Sequence, residues 1–89
     1  MLTLPSSLMH DLSATYARGL VSLVLAQPAE VVADASTLQT FDSSALAVLL
    51  ACRREAIAVG KTFSVYGLPA RLRQLAGLYG VAELIPQTA

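Results

Sequence analysis

The chain carries one histidine, His10, and one cysteine, Cys52. A metal site needs three or four ligands, more than this pair supplies, so no metal is expected. Cys52 ends the apolar run Ala45–Cys52, where a thiol serves as a small hydrophobe. A nucleophile would need a base beside it, and the sequence places none. Asp34 and Asp42 follow strand-like runs and can approach each other at one sheet edge. Turn and cap roles are the commoner use of such residues. The segment "GLPARLRQLAG" holds glycines at no phosphate-binding spacing. No cofactor is expected, and the scarcity of convergent polar groups argues against an enzyme.

The turn Asp42-Ser43-Ser44 is the most informative feature. Asp42 or Ser43 can accept hydrogen bonds from the free N–H groups of a following helix. If Asp42 is the cap, Ser43 is the first helical residue and its hydroxyl lies near solvent. A phosphate there would be favoured by the helix dipole and disfavoured by the Asp42 carboxylate. Simple capping and a charge-sensitive switch both fit the turn.

The elements that would position this turn alternate. "MLTLP" reads as a strand stopped by Pro5. A helix follows, capped by Ser6 or Ser7, with Leu8, Leu12, Tyr16, Leu20 and Leu23 on one face and an end between Gly19 and Ala26. Glu30 to Ala33 reads as a buried strand, and "TLQTF" as a loop or single turn. A second helix spans Ser43 to Val59, stopped by Gly60. "KTFSVYG" alternates as a strand with Phe63 and Val65 on one face. A third helix starts at Pro69 and ends near Gly80, with Leu68, Leu72, Leu75 and Tyr79 as its apolar stripe. "VAELIP" reads as a last short strand or a docked tail. The expected fold is α/β: a single domain over residues 1–89, with a small, mostly parallel sheet and helices packed on it.

With 89 residues, 55% of them hydrophobic and 13% charged, the chain buries a small core and has apolar surface to spare. Net charge is zero, which argues against nucleic acid as a partner. No stretch is long and apolar enough to span a membrane, so direct insertion is not expected. A single cysteine suits a reducing compartment, and the cytoplasm is the expected location. Arg53, Arg54, Lys61, Arg71 and Arg73 form either a solvated face or a basic rim around an apolar patch. The second helix starts with two turns free of polar residues, Ala45 to Cys52. One side must pack on the sheet, and another meets a neighbouring helix or a partner.

The stretch "DASTLQTFDSSALAVLLACRREAIAVGKTFSVYGLPARLRQLAGLYGVAELIP" resembles the STAS domain family of sulfate transporters and anti-sigma factor antagonists. The similar segment runs from about Val31 to Pro86, and the ending "LRQLAGLYGVAELIP" is similar to the MlaB type. The resemblance implies a non-enzymatic subunit that binds the ATPase of a bacterial phospholipid ABC transporter. It supports that transporter in maintaining outer-membrane lipid asymmetry, at the cytoplasmic side of the inner membrane. By position Ser43 matches the functionally important hydroxyl, flanked by Asp42 and Ser44. In the antagonist branch that position is a serine phosphorylated by a partner kinase, which is the alternative reading. The antagonists usually carry glycine where this chain has Ala45. Expected contacts with the ATPase are Leu46, Leu50, Arg53 and Arg54 on the second helix, and Arg71 and Gln74 on the third. The short opening strand also leaves a sheet edge through which two copies could pair as a homodimer.

Overall fold

Two five-residue runs, Glu30–Asp34 and Thr62–Tyr66, bury every second side chain. Val31, Ala33, Phe63 and Val65 point into the core, and their neighbours in sequence point away from it. These runs are β3 and β5 of the computed structural model, which describes residues 1–88. They pair in parallel, Val31 opposite Phe63 and Ala33 opposite Val65. The opening strand β1, Leu2–Thr3, pairs in parallel with the other edge of β3. The sheet order is therefore β1-β3-β5. Beyond Pro86 the chain runs beside β5. The Val65 N–H donates to the Pro86 carbonyl and the Thr88 N–H donates to the Val65 carbonyl, both at 2.8 Å.

Helices cover the sheet as parallel crossovers require. They are α1 (His10–Arg18), α2 (Leu20–Leu25), α3 (Ser44–Ala58) and α4 (Ala70–Leu78). One core cluster joins the sheet residues to Leu20 and Val24 of α2, Leu49, Cys52 and Ala56 of α3, and Leu72 and Ala76 of α4. The α/β fold with a parallel sheet is as the alternation of elements predicts.

Several local expectations need correction. Ser7 does not cap a helix: Ser7–Leu8 is a strand, β2, paired in parallel with β4, Thr40–Phe41, inside the segment expected to be a loop. The first helix is interrupted at Gly19, so α1 and α2 are separate. Its inward residues are Ser13, Leu20 and Val24, with Tyr16 and Ala17 half-buried. Leu12 and Leu23 are exposed. Tyr79 is exposed as well, and Ala76 takes its place on the buried face of α4. Pro69 stands just before the first helical residue rather than at it. "VAELIP" forms a 3-10 turn over Ala82–Leu84, and the docked stretch lies after it.

Two close approaches fix how the loops meet. Gly67 has φ +68, and a Cβ there would lie 2.7 Å from the Cβ of Ser36. Only glycine lets the loop after β5 lie on the loop after β3. Ser36 is itself held by Asp34, whose carboxylate accepts from the Ser36 N–H at 3.0 Å and from its hydroxyl.

The second approach involves Lys61, expected on a basic rim. Its ammonium turns inward and donates to the carbonyls of Val24 (2.9 Å), Leu25 (3.2 Å) and Gln27. Those carbonyls close the C-terminal end of α2, where the helix dipole favours a cation. Lys61 thus ties α2 to the start of β5. Lys61→Met keeps the stem and removes the charge-assisted bonds, and should cost about 2 kcal/mol in urea unfolding.

Candidate functional site

The parallel sheet sends α1, α3 and α4 back from the carboxyl ends of strands, so their N-termini gather at one end of the molecule. The turn Asp42-Ser43-Ser44 lies there. Asp42 Oδ1 accepts from the Ser44 N–H at 2.8 Å, capping α3. Its other oxygen, Oδ2, accepts from the His10 N–H at 3.0 Å. His10 is the first residue of α1, and Met9 before it gives no side-chain cap. One carboxylate therefore caps two helices whose starts, His10 and Ser44, are 34 residues apart in sequence. Local pattern could not show this, because the cap of α1 is not next to α1 in the chain.

These N–H groups stabilise the charged form of Asp42. Its pKa is lowered, first by the Ser44 N–H and, in smaller part, by the His10 N–H. Asp34 is lowered by the hydroxyl and N–H of Ser36. Each carboxylate is engaged in its own turn or cap, in the roles that the sequence favours over an acid–base pair.

Ser43 is exposed, has helical backbone angles (φ −61, ψ −16) and makes no side-chain capping bond. Ser44 is half-buried, and its Oγ lies 3.5 Å from Nδ1 of His10. The Ala45 methyl is fully buried, so the position where the antagonists carry glycine is part of the core here.

The expected contact residues divide. Leu46 is 4% exposed and belongs to the core, which removes it from the surface, and Leu50 is half-buried against the same core. Arg53 is half-buried and Arg54 is exposed, with Nε 4.0 Å from the Glu55 carboxylate. Arg71 and Gln74 are exposed on α4. Sequence reasoning missed the flank on the other side. Between α1 and α3 lies an open cleft of about 230 Å³, lined by His10, Ala14, Ala17, Ser44, Ala47 and Val48, with Ser13 also in its wall. Small residues three apart on both helices, Ala14 and Ala17 on α1 and Ser44 and Ala47 on α3, were the available signal.

Cys52 is fully buried and its thiol is pushed up to about 11 by burial. Tyr16 is raised as well, by burial and then by Cys52, and its hydroxyl is buried without a hydrogen-bond partner. Both stay protonated at neutral pH, which suits packing rather than nucleophilic chemistry. Among the described residues no cluster of three metal-binding side chains occurs, and no helix is long and apolar enough to cross a membrane.

This arrangement of parallel sheet and crossover helices has a solved counterpart. The anti-sigma factor antagonist SpoIIAA in its unphosphorylated form superposes with a TM-score of 0.72 at 16% identity, over 98% of this chain and 76% of that one. The fold is thus the one that this antagonist has, a small parallel sheet covered by helices. The family model described as "Mlab, STAS domain" matches residues 2–86, and the chain belongs to that family. No curated protein sequence is a significant match.

The double cap gives a pH dependence of defined sign. A carboxylate whose pKa is lowered by folding adds stability that is complete above its ordinary value near 3.8. That contribution is lost as the pH falls through the lower folded value. Asp42→Asn should lower the melting temperature at pH 7 by roughly 5 °C, and the gap to the parent should narrow below about pH 4. Thermal unfolding of both proteins between pH 2 and 7 checks this, with an unchanged gap counting against the cap.

Proposed function

We propose that this chain is a non-enzymatic regulatory and assembly subunit that binds the ATPase of a phospholipid ABC transporter of the Mla type. In that role it works in the cytoplasm, at the inner-membrane complex, and supports the lipid asymmetry of the outer membrane. The MlaB-type family match over residues 2–86 carries this reading. The exposed Ser43 at the mouth of α3 supports it, because a partner can reach that hydroxyl without disturbing the core. Docking is assigned to the Asp42–Ser44 turn, the exposed side of α3 with Leu50, Arg53 and Arg54, and the start of α4 with Arg71 and Gln74. Apolar atoms would supply burial there, and the arginines would set orientation at the rim.

A second reading draws on the same hydroxyl. As an anti-sigma factor antagonist, the domain would be switched by phosphorylation of Ser43. Exposure of Ser43 at the positive end of the α3 dipole favours it, and the neighbouring Asp42 carboxylate opposes a second negative charge. Pairing of two copies through the sheet edge has less to recommend it. β1 offers only Leu2 and Thr3, with Pro5 just behind.

Ser43→Glu separates the two readings from each other and from a structural role. Ser43 has no capping bond to lose, so the melting temperature should stay within a few degrees. Affinity for the ATPase should fall by about tenfold, because a charge is placed at the contact. Unchanged affinity in a pull-down, or a large loss of stability, would sink the docking reading. Phosphate located on Ser43 by mass spectrometry after incubation with a cognate kinase and ATP would support the second.

A further inference from the structure

Successive residues of a strand send their backbone groups to opposite sides. In β5 the even-numbered residues serve β3. The Thr62 N–H donates to the Ala29 carbonyl, and the Tyr66 carbonyl accepts from the Ala35 N–H. Phe63 and Val65 therefore aim both of their backbone groups at the other side of β5. Val65 is met there by residues 86–88, with Gln87 opposite it, through one bond to the Pro86 carbonyl and one from the Thr88 N–H. Among the described residues no backbone group meets Phe63 on that side. The anchor of this short stretch is Ile85, which is 2% exposed and part of the core.

The edge itself carries none of the devices that keep sheet edges apart. Thr62–Tyr66 holds no charge and no proline, and Lys61 just before it turns its ammonium to the end of α2. Its free groups are also self-complementary. Two copies of β5 laid antiparallel about a two-fold axis through Ser64 bring Phe63 of each copy opposite Val65 of the other. Each such pair exchanges both N–H···O bonds, as the hydrogen-bonded pairs of an antiparallel ladder do. Residues 86–88 satisfy Val65 alone. Thr62, Ser64 and Tyr66 are uncharged, so no like charges meet across the axis.

We propose that residues 86–88 are a strap that competes with a second copy of this chain for the edge of β5. With the strap seated the chain is a monomer. With it lifted, two copies join edge to edge into one continuous sheet. Burial of Ile85 favours the strap, pairing of Phe63 favours the second copy, and protein concentration shifts the balance. The inference stands on the strand edge and is independent of the docking reading above.

Sedimentation equilibrium of the full chain and its variants over a range of concentrations tests the proposal, with folding checked by circular dichroism. Ile85→Ser unseats the strap and should tighten self-association by about tenfold. Thr88→Pro removes one bond of the strap and keeps Ile85, and should tighten it by about threefold. Adding Ser64→Lys to either variant sets two ammonium groups against each other at the axis and should restore the monomer. Hydrogen exchange supplies an independent readout: the Phe63 amide, open in the monomer, should become protected in the dimer. Equal self-association of the parent and a folded Ile85→Ser, whether both are monomers or both dimers, overturns the proposal. A dimer that survives Ser64→Lys, or that leaves the Phe63 amide unprotected, uses another surface and overturns it too. Should Ile85→Ser not fold, Thr88→Pro decides, and self-association equal to that of the parent overturns it.

Discussion

The arrangement of this molecule depends on one carboxylate shared by two helices. A helix start leaves N–H groups without partners, and burying or crowding that end without satisfying them is costly. α1 is preceded by Met9, which offers no side-chain acceptor, and the following His10 N–H would be left to solvent. Asp42 meets that N–H with one oxygen and the Ser44 N–H with the other. The consequence is geometric as much as energetic. Two helices from separate crossovers are pinned at their first turns, so the surface between them, and the turn that carries Ser43, keep a fixed relation.

The unusual apolarity of α3 follows from where that pin places it. α3 packs against β5 on one side and against α1 and α2 on another, with α4 at a third. Ala45, Leu46, Val48, Leu49, Cys52 and Ala56 are all buried, which is more than a single stripe. Large residues fill the space over the sheet, while alanines sit where a neighbouring helix comes close. What the helix leaves open is the N-terminal hydroxyls, the Ala47 side facing the cleft, the half-buried Leu50–Ala51 stretch, and Arg53, Arg54, Ile57 and Ala58 near its end. A partner reading this helix is confined to those places.

Legibility in the sequence followed the range of the interactions. Strand β5 and helix α3 were readable almost to their ends, because alternation at period two and the Gly60 stop are local signals. β2 and β4 were not. Each is two residues long and exists through backbone pairing across more than thirty residues, which no side-chain pattern reports. The stripe drawn on the first helix put Leu12 and Leu23 inside. It took leucine as inward, whereas α1 uses Ser13 and Ala17 on its inner side, small enough to sit against α3. Lys61 misled for a related reason: its charge suggested surface, yet its ammonium is satisfied by the carbonyls at the end of α2. The cap at Asp42 was legible; the second helix that Asp42 holds was not.

Several polar groups of this chain are committed to holding the fold. Asp34 secures the loop that Gly67 lies on, Asp42 secures two helix starts, Lys61 closes α2, and Cys52 and Tyr16 are kept neutral by burial. A catalytic group must be free to change its protonation or its bonds during a reaction, and each of these would loosen the structure by doing so. Ser43 differs from all of them. It is polar, exposed and unbonded as a cap, at the place where two helix dipoles point outward. A change of charge there leaves every cap and clamp in place. The frame around Asp42 is fixed by its bonds, and Ser43 is a surface hydroxyl that this frame positions without using.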